Sequence, residues 1–146
     1  MLKISEAASL AMHTMTLLVQ DPEKVHTTHE IAKTLGVSEA HLSKVLQRLH
    51  KAGLVASVRG AHGGFRPAMP GVEVTMLEVY EAIEGPFVGA PCLLGRPVCG
   101  ADGCILGDLL ERVNREVREY LVNTRLSQLK LKPGRNDGQD ERDRQD

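Results

Sequence analysis

The pattern of apolar residues first predicts an amphipathic helix near the start of the chain. Ser5 is a suitable N-cap, and Asp21 followed by Pro22 ends the pattern. Apolar residues between these limits recur at steps of one, three and four, which is typical of one buried helix face. They are Leu10, Ala11, Met15 and Leu18. We therefore expect a helix that runs from just after Ser5 to about Gln20.

Two further helices are predicted next, joined by a sharp turn. Thr27 and Glu30 have the spacing of a capping box, and Ser38 is the N-cap of the helix that follows. Gly36 allows the positive φ that the turn between the helices requires. The inward positions are Ile31, Ala32 and Leu35 on one helix and Leu42, Val45, Leu46 and Leu49 on the other. The pattern is typical of a helix-turn-helix, although a plain helical hairpin in a bundle could share it.

A β-hairpin is predicted immediately after these helices. Residues 54–58 have the composition of a strand, residues 59–64 form a glycine-rich tip, and a return strand starts at Phe65. The hairpin carries Arg59 and Arg66, and its glycines let the backbone approach a partner closely. A helix-turn-helix followed directly by a hairpin is a winged helix, so the predicted fold class is mainly α with a small β-hairpin wing.

Two more helices are predicted in the second half of the chain. Thr75 and Glu78 form another capping box, which starts a helix to about Glu84. A stretch rich in glycine and proline follows. The most strongly amphipathic helix is then expected over residues 105–122, with charged residues opposite its apolar stripe. The stripe contains Leu106, Leu110, Val113, Val117, Tyr120 and Leu121.

The apolar stripe of this last helix is too long for the small N-terminal lobe to cover alone. An antiparallel helix from a second copy would cover it, which makes this a long C-terminal dimerisation helix. The alternative is that the stripe packs back on the first helix within a monomer. The predicted division of the chain is a DNA-binding domain with a linker helix, a cysteine loop, a dimerisation helix with a C-terminal segment, and a disordered tail. These regions span residues 1–84, 85–104, 105–132 and 133–146.

Composition and charge narrow the classes of partner. The 146 residues have a net charge of −1, yet residues 22–70 carry seven Lys and Arg against three Glu, and five of the six His. This basic lobe favours a polyanion partner, although a chance excess on a solvated surface is the alternative. No apolar run is long enough to cross a membrane, and the first residues lack the pattern of a signal peptide. We therefore expect a cytoplasmic protein with no membrane partner.

Three cysteines lie in the glycine-rich loop, and their chemistry points to a soft metal centre. Six residues separate Cys92 from Cys99, and four separate Cys99 from Cys104. Thiolates select zinc or iron–sulfur clusters, but the closely spaced pairs of a zinc finger are absent. Three unconnected thiols and a disulfide-based switch are the alternatives. No nucleophile motif and no phosphate-binding loop occurs, so we do not expect an enzyme.

The order of these features resembles the Rrf-type transcription regulators, the family that includes the IscR and NsrR proteins. The resemblance covers about residues 1–132, and its most specific parts are residues 53–60, residues 63–65, residues 77–83 and the three cysteines. It implies a homodimeric bacterial regulator that binds a double-stranded DNA operator. It also implies that the cysteines hold a [2Fe–2S] or [4Fe–4S] cluster that senses redox state, nitric oxide or iron–sulfur status.

The chain departs from the family at the fourth cluster ligand. Where IscR-type members have a His, this chain has Gly107, and where NsrR-type members have an acid on the first helix, it has Ser9. Another branch of the family uses a His one turn further along that helix, where this chain has His13. The candidates for the fourth ligand are Asp108, Glu6 and His13. An exogenous thiol or water is the further alternative.

The helix over residues 39–51 is predicted to enter the major groove of DNA, while the tip of the wing reaches a neighbouring minor groove. The candidate DNA-contacting residues are Ser38, Ala40, His41, Ser43, Lys44, Arg48, Arg59 and Gly60. His41 and Ser43 replace the Tyr and Glu that family members often have, so no known operator is transferred to this chain. Two other functions remain open: a metal-free thiol-redox or small-molecule-responsive repressor of the same fold, and a dimeric protein-interaction scaffold.

Overall fold

Five helices, one two-stranded hairpin and one short 3-10 helix make up the part of the chain that the structure describes. The computed structural model describes residues 4–70, 73–96, 98–100 and 103–132. The elements are α1 (Glu6–Gln20), α2 (Thr28–Leu35), α3 (Glu39–Lys51), β1 (Val55–Val58), β2 (Gly64–Pro67), α4 (Met76–Glu84), α5 (Leu109–Asn123) and a 3-10 helix (Leu126–Gln128). The predicted fold class is therefore found. The predicted disorder of residues 133–146 lies outside the described residues.

The N-caps that the sequence predicts are present at four helices. The side chains of Ser5 and Ser38 accept hydrogen bonds from backbone N–H groups in the first turns of α1 and α3. Thr27 and Thr75 form complete capping boxes at α2 and α4. Each cap satisfies a backbone N–H that has no partner inside the helix, which sets where these helices begin.

The turn between α2 and α3 depends on Gly36. Its φ of 68° is left-handed, and its N–H bonds the carbonyl of Ala32. This conformation costs glycine little because it has no Cβ. The apolar faces of both helices then meet α1 in one core, whose centre contains Met15, Leu18, Ile31, Leu42, Leu46 and Leu49. The helix-turn-helix thus rests on α1.

The hairpin is tied to the helix-turn-helix by a third strand-like segment. β1 and β2 are antiparallel, with Val55 opposite Pro67 and Val58 opposite Gly64. His26, just before α2, pairs with Phe65 through two backbone hydrogen bonds of 2.8 Å. The wing is therefore anchored to the chain that enters α2.

The segment after α5 returns to the N-terminal half of the molecule. The N–H of Leu126 donates to the carbonyl of Val74 at 2.9 Å, and the N–H of Met76 donates to the carbonyl of Thr124 at 2.9 Å. The Leu126 side chain has 0% of its surface exposed, and it belongs to the same core as α1 and α4. The start of α4 and the end of α5 are consequently joined.

The predicted start of α5 at about Ile105 is wrong by four residues. The helix begins at Leu109, and residues 105–108 form turns. The reason is Gly107, whose φ of 57° is left-handed and cannot continue a right-handed helix. Leu106, counted in the predicted stripe, therefore precedes the helix. With 15 residues, α5 is about 22 Å long at roughly 1.5 Å per residue.

Candidate nucleic-acid interface and cysteine loop

The exposed face of α3 carries most of the predicted DNA-contacting residues. Its buried face contains Leu42, Val45, Leu46 and Leu49. On the other side Ala40 and Lys44 are exposed, while His41 and Ser43 are half-buried. The Ser38 hydroxyl accepts the N–H of His41 at 3.2 Å, so it serves the helix as a cap. The helix presents a short, polar and basic surface of the kind that enters a major groove.

Four basic side chains form a stripe along α3, at steps of three and four residues. They are His41, Lys44, Arg48 and Lys51, and they border a shallow groove of about 530 Å³ that Ala7 of α1 also lines. The Arg48 guanidinium donates to the carbonyl of Ile83 at 3.5 Å, which holds it towards the end of α4. Of the predicted contacts on α3, Arg48 is therefore the one turned towards the protein.

Two exposed residues on the same face of α3 were not predicted as contacts. Gln47 and Lys51 continue the row of Lys44 at steps of three and four residues. The signal was present in the sequence, because both positions lie opposite the apolar positions of the helix.

A pair of side chains braces the two helices of the helix-turn-helix. His29 Nδ1, in the first turn of α2, lies 2.6 Å from Glu39 Oε1 at the start of α3. Both side chains are exposed. The contact ties the first turns of the two helices together. Nothing in the local sequence pattern predicts it, because the residues are ten positions apart.

The tip of the wing is a tight glycine turn that exposes Arg59 and Gly60. Gly60 has a φ of 114°, and its carbonyl accepts the N–H of Gly63 at 3.0 Å. A Cβ at Gly63 would lie 2.4 Å from the carbonyl oxygen of Val58, so the turn tolerates no side chain there. Arg66, the other arginine of the wing, is paired with Ala56 further down the hairpin. Arg59 is therefore the cation nearest the tip.

The imidazole that lies behind the wing is buried. Only 8% of the His26 surface is exposed, and its Nε2 has no hydrogen-bond partner among the described residues. Burial lowers the pKa of His26 below its usual 6.5, and the nearby positive charge of Lys24 lowers it further, while Glu30 and Asp21 act in the opposite direction. Folding therefore favours the neutral form of this histidine.

The three cysteines are free thiols on a loop without helix or strand in its described residues. Cys92 and Cys99 are half-buried, and Cys104 is exposed. The Cys92 thiol donates to the carbonyl of Arg96 at 3.2 Å, and the Cys104 sulfur accepts the N–H of Leu106 at 3.4 Å. Each of these two thiols therefore has its own local backbone partner.

A cavity of about 610 Å³ joins the two ends of the cysteine loop to α5. Pro91 at one end and Cys104 at the other both line it, together with Asp108. The Asn114 amide of α5 donates to the carbonyl of Ala90 at 3.1 Å and so fixes the entry of the loop. The entry of the loop is thus held against α5.

The candidate fourth ligands lie in two different places. Asp108 lines the same cavity as Cys104, and its carboxylate pairs with Arg112 at 3.1 Å. Glu6 and His13 are exposed on α1 and line another groove, of about 210 Å³. Asp108 is the candidate that the structure brings into the same cavity as a cysteine.

The donor set suits an iron–sulfur cluster in kind, because thiolates are the ligands that such clusters take. Within residues 4–70, 73–96, 98–100 and 103–132, however, no three Cys, His, Asp or Glu side chains are grouped so that they could hold a metal ion. In the described conformation the three cysteines therefore lie on one loop, but their thiols do not converge on a common site. The cluster ligands remain a prediction.

Apolar side chains are unusually exposed around the loop and along α5. Ile105 has 88% of its surface exposed and Tyr120 has 58%. Other exposed apolar residues of this region are Val88, Leu93, Leu94, Val98, Leu109, Val113 and Val122. In α5 only Leu121 is buried. Within the predicted stripe, Val117 and Leu121 pack on the core, and α5 contacts α4. Val113 and Tyr120 of the same stripe are left exposed by the described residues. Such a surface is typical of an interaction site.

No helix in the described part of the chain combines the length and the apolar character that a membrane crossing requires.

Comparison with known proteins connects these features to one family. A family model described as Rrf2, an iron-dependent transcriptional regulator, matches residues 4–131. The protein aau3 of Rhizobium meliloti strain 1021 is 34% identical over 122 residues, which cover 82% of this chain and 79% of that protein. The IscR transcriptional regulator of Vibrio cholerae is 30% identical over 103 residues, which cover 70% of this chain and 59% of that protein. The chain therefore spans less than two thirds of that IscR protein's length.

Solved structures of two regulators share the fold. CymR, described as the global cysteine regulator of B. subtilis, superposes with a TM-score of 0.73 at 30% identity, over 87% of this chain and 95% of that chain. IscR of T. potens superposes with a TM-score of 0.67 at 26% identity, over 86% of this chain and 84% of that chain. These similarities confirm the predicted winged helix-turn-helix.

Proposed function

Because the chain belongs to the Rrf2 family of DNA-binding transcriptional regulators, we propose that it is a homodimer whose operator affinity is set by an iron–sulfur cluster on Cys92, Cys99 and Cys104. The family consists of regulators and not of enzymes, which confirms that part of the prediction. The cluster, the dimer and the individual DNA contacts are the parts that we propose.

The observation that carries the proposal is the position of the cysteine loop between two helices with different tasks. α4 packs against α1 and α3 of the DNA-binding lobe, and its last residue Glu84 accepts a hydrogen bond from the Ser5 hydroxyl. α5 carries the exposed apolar stripe. The loop joins these helices, so a change in its conformation acts on the DNA-binding lobe and on α5 together.

The DNA contacts that we propose lie on α3 and on the tip of the wing. Ala40, Ser43 and Lys44 face the bases in the major groove, with Ser38 and His41 at the N-terminal end of the helix. Arg59 and Gly60 enter the adjacent minor groove, where the glycine turn lets the backbone come close to the duplex. Arg48 contributes its charge beside the phosphates.

The second copy covers the stripe of α5. Val113 and Tyr120 are exposed at steps of three and four residues from the half-buried Val117. An antiparallel α5 of a partner subunit presents the same stripe in return, as a two-fold interface requires. The two DNA-binding lobes of the dimer can then bind operator half-sites that lie about one helical turn, or roughly 34 Å, apart.

Two observations support the cluster: the chain has three thiols on one loop, and it belongs to a family described as iron-dependent regulators. Cys92, Cys99 and Cys104 would hold it, and Asp108 is the preferred fourth ligand because it lines the same cavity as Cys104; Glu6 and His13 are the other candidates. When bound, the cluster supplies a centre that reacts with oxidants and nitric oxide. The chain's own residues supply the ligands and anchor the loop, the latter through Asn114 at Ala90.

The experiment is anaerobic purification followed by measurement of iron, acid-labile sulfide and the visible spectrum. We expect a brown protein whose affinity for its operator changes when the cluster is lost. The variant with all three cysteines changed to Ser is expected to be colourless and to bind the operator with one affinity under every condition. If the wild-type protein takes up no iron, even after reconstitution, the proposed cluster is wrong.

A metal-free thiol switch is the second candidate. It is favoured by the separate positions of the thiols and by the similarity to CymR, the global cysteine regulator of B. subtilis. In that case the wild-type protein is colourless, and oxidants change its operator affinity only while the cysteines are present. Equal responses of the wild type and the triple Ser variant to oxidants would exclude both candidates.

A further inference from the structure

The exposed face of α3 contains a row of four residues at helical spacing, and one of them is not among the DNA contacts proposed above. The row consists of Ala40, Ser43, Lys44 and Gln47, at positions i, i+3, i+4 and i+7. It lies opposite the buried residues Leu42, Val45, Leu46 and Leu49. Residues with this spacing lie side by side along one helix face and can face the same groove together.

Gln47 is available for contact with DNA. It is exposed, and its amide has no hydrogen-bond partner among the described residues. Its neighbour Arg48 is held by the carbonyl of Ile83, so it lies towards α4 and leaves the centre of the face to Gln47. Lys44 and Lys51 lie one turn before and one turn after Gln47, where they can meet phosphates on either side.

The amide also has suitable chemistry for reading a base. A glutamine side chain offers an N–H donor and a carbonyl acceptor, which match N7 and the N6 amino group of adenine in the major groove. Lys44 can bind guanine or a phosphate through its charge, the Ser43 hydroxyl can contact any base, and Ala40 offers only a methyl group. Gln47 is therefore the residue of this row whose side chain offers the separate donor and acceptor that distinguish adenine.

We propose that Gln47 is a specificity-determining residue that reads an adenine in the operator. The proposal rests on the proposed entry of α3 into the major groove. Ala40 and Gln47 are seven residues apart, so their Cα atoms are separated by about 10 Å along the helix. At about 3.4 Å per base pair, the adenine lies about three base pairs from the one that faces Ala40.

The test begins with selection of preferred sites from a randomised double-stranded DNA library, using the full wild-type chain. The variants Gln47→Ala and Lys51→Ala are then compared by fluorescence anisotropy on the selected duplex and on duplexes with single base-pair changes. We expect Gln47→Ala to bind the selected duplex about tenfold more weakly and to lose its preference at one adenine only. Lys51→Ala, the control, should weaken binding to every duplex by the same factor.

A duplex with 7-deazaadenine at that position isolates the contact, because it removes the N7 acceptor and keeps the base pair. The wild type should lose affinity for it, and Gln47→Ala should lose none beyond its own defect. Unchanged base preferences in Gln47→Ala would overturn the role of Gln47 while leaving the proposed function intact. A wild-type chain that selects no sequence would overturn sequence-specific DNA reading by α3, and this inference with it.

Discussion

Gly64 of β2 packs directly against the backbone of His26, so that a Cβ at Gly64 would lie 2.2 Å from the His26 carbonyl oxygen. This contact is the point where the wing meets the chain that enters α2. A side chain at either glycine of the return, Gly63 or Gly64, meets backbone within 2.4 Å. Backbone cannot rotate away as a flexible side chain would, so a side chain at Gly64 would push the wing away from the helix-turn-helix.

Gly64→Ala is therefore expected to displace β2 from His26 and to destabilise the protein. Overpacking of this kind costs about 1–3 kcal/mol, which urea unfolding would measure. Operator affinity should fall as well because the wing tip moves. Gly100→Ala is the matched control, since a Cβ there meets nothing within 4 Å. Equal stability of both variants would contradict the close approach.

His26 predicts a loss of stability in mild acid. Its pKa is lowered in the folded protein by burial and by Lys24, so the unfolded chain binds a proton at a pH where the folded chain does not. Stability is therefore complete above the ordinary pKa of 6.5 and decreases as the pH falls from there towards the folded-state value. Urea unfolding across this range should show a shallower pH dependence for His26→Gln. His62→Gln, at the exposed wing tip, should behave like the wild type.

Leu126 predicts that the C-terminal segment stabilises the whole fold. Its side chain is fully buried in the core shared by α1 and α4. Leu126→Ala should lower the free energy of unfolding by about 2–5 kcal/mol, while Ser127→Ala, at the exposed neighbouring position, should have little effect. An unchanged denaturation midpoint for Leu126→Ala would mean that this segment does not belong to the folded core.

Arg59 predicts a contact with DNA at the tip of the wing. Arg59→Ala should weaken operator binding by about 1–3 kcal/mol without changing stability. Lys130→Ala removes the same charge from the C-terminal segment and serves as the control in the same anisotropy titration. If the two variants bind equally well, the wing tip does not contact the operator.

The exposed position of Val113 allows the proposed dimer to be tested. Val113→Glu places a charge in the exposed apolar stripe of α5 and should convert the proposed dimer to monomer in analytical ultracentrifugation. Arg112→Glu introduces the same side chain outside the stripe and should leave the dimer intact. A Val113→Glu protein that sediments like the wild type would place the subunit interface elsewhere.

The local structure followed closely from short-range sequence signals. Ser5, Thr27, Ser38 and Thr75 cap the helices where the sequence predicted, because a cap is made by residues within three positions of each other. The start of α5 was missed because the apolar period continues through Gly107. Because Gly107 is left-handed, the helix can begin only after it, although the apolar period is undisturbed.

Long-range relationships required the tertiary structure. The pairing of His26 with Phe65, the hydrogen bond from Arg48 to Ile83, and the cavity shared by Cys104 and Asp108 join residues that no local pattern connects. The sequence placed Arg48 among the DNA contacts because it is basic and lies on α3. Only the packing of α3 against α4 revealed that its guanidinium is held by the protein.

By itself the sequence determined the helices, the turn at Gly36, the hairpin wing and the three thiols on one loop, because capping, periodicity and glycine conformation act over a few residues. The tertiary structure alone decided which surfaces are covered, since burial depends on contacts between distant segments. It packed Leu126 into the core and left Val113 and Tyr120 of the α5 stripe exposed. It also placed Gln47 in the centre of the free face of α3, because neighbouring helices cover the other sides.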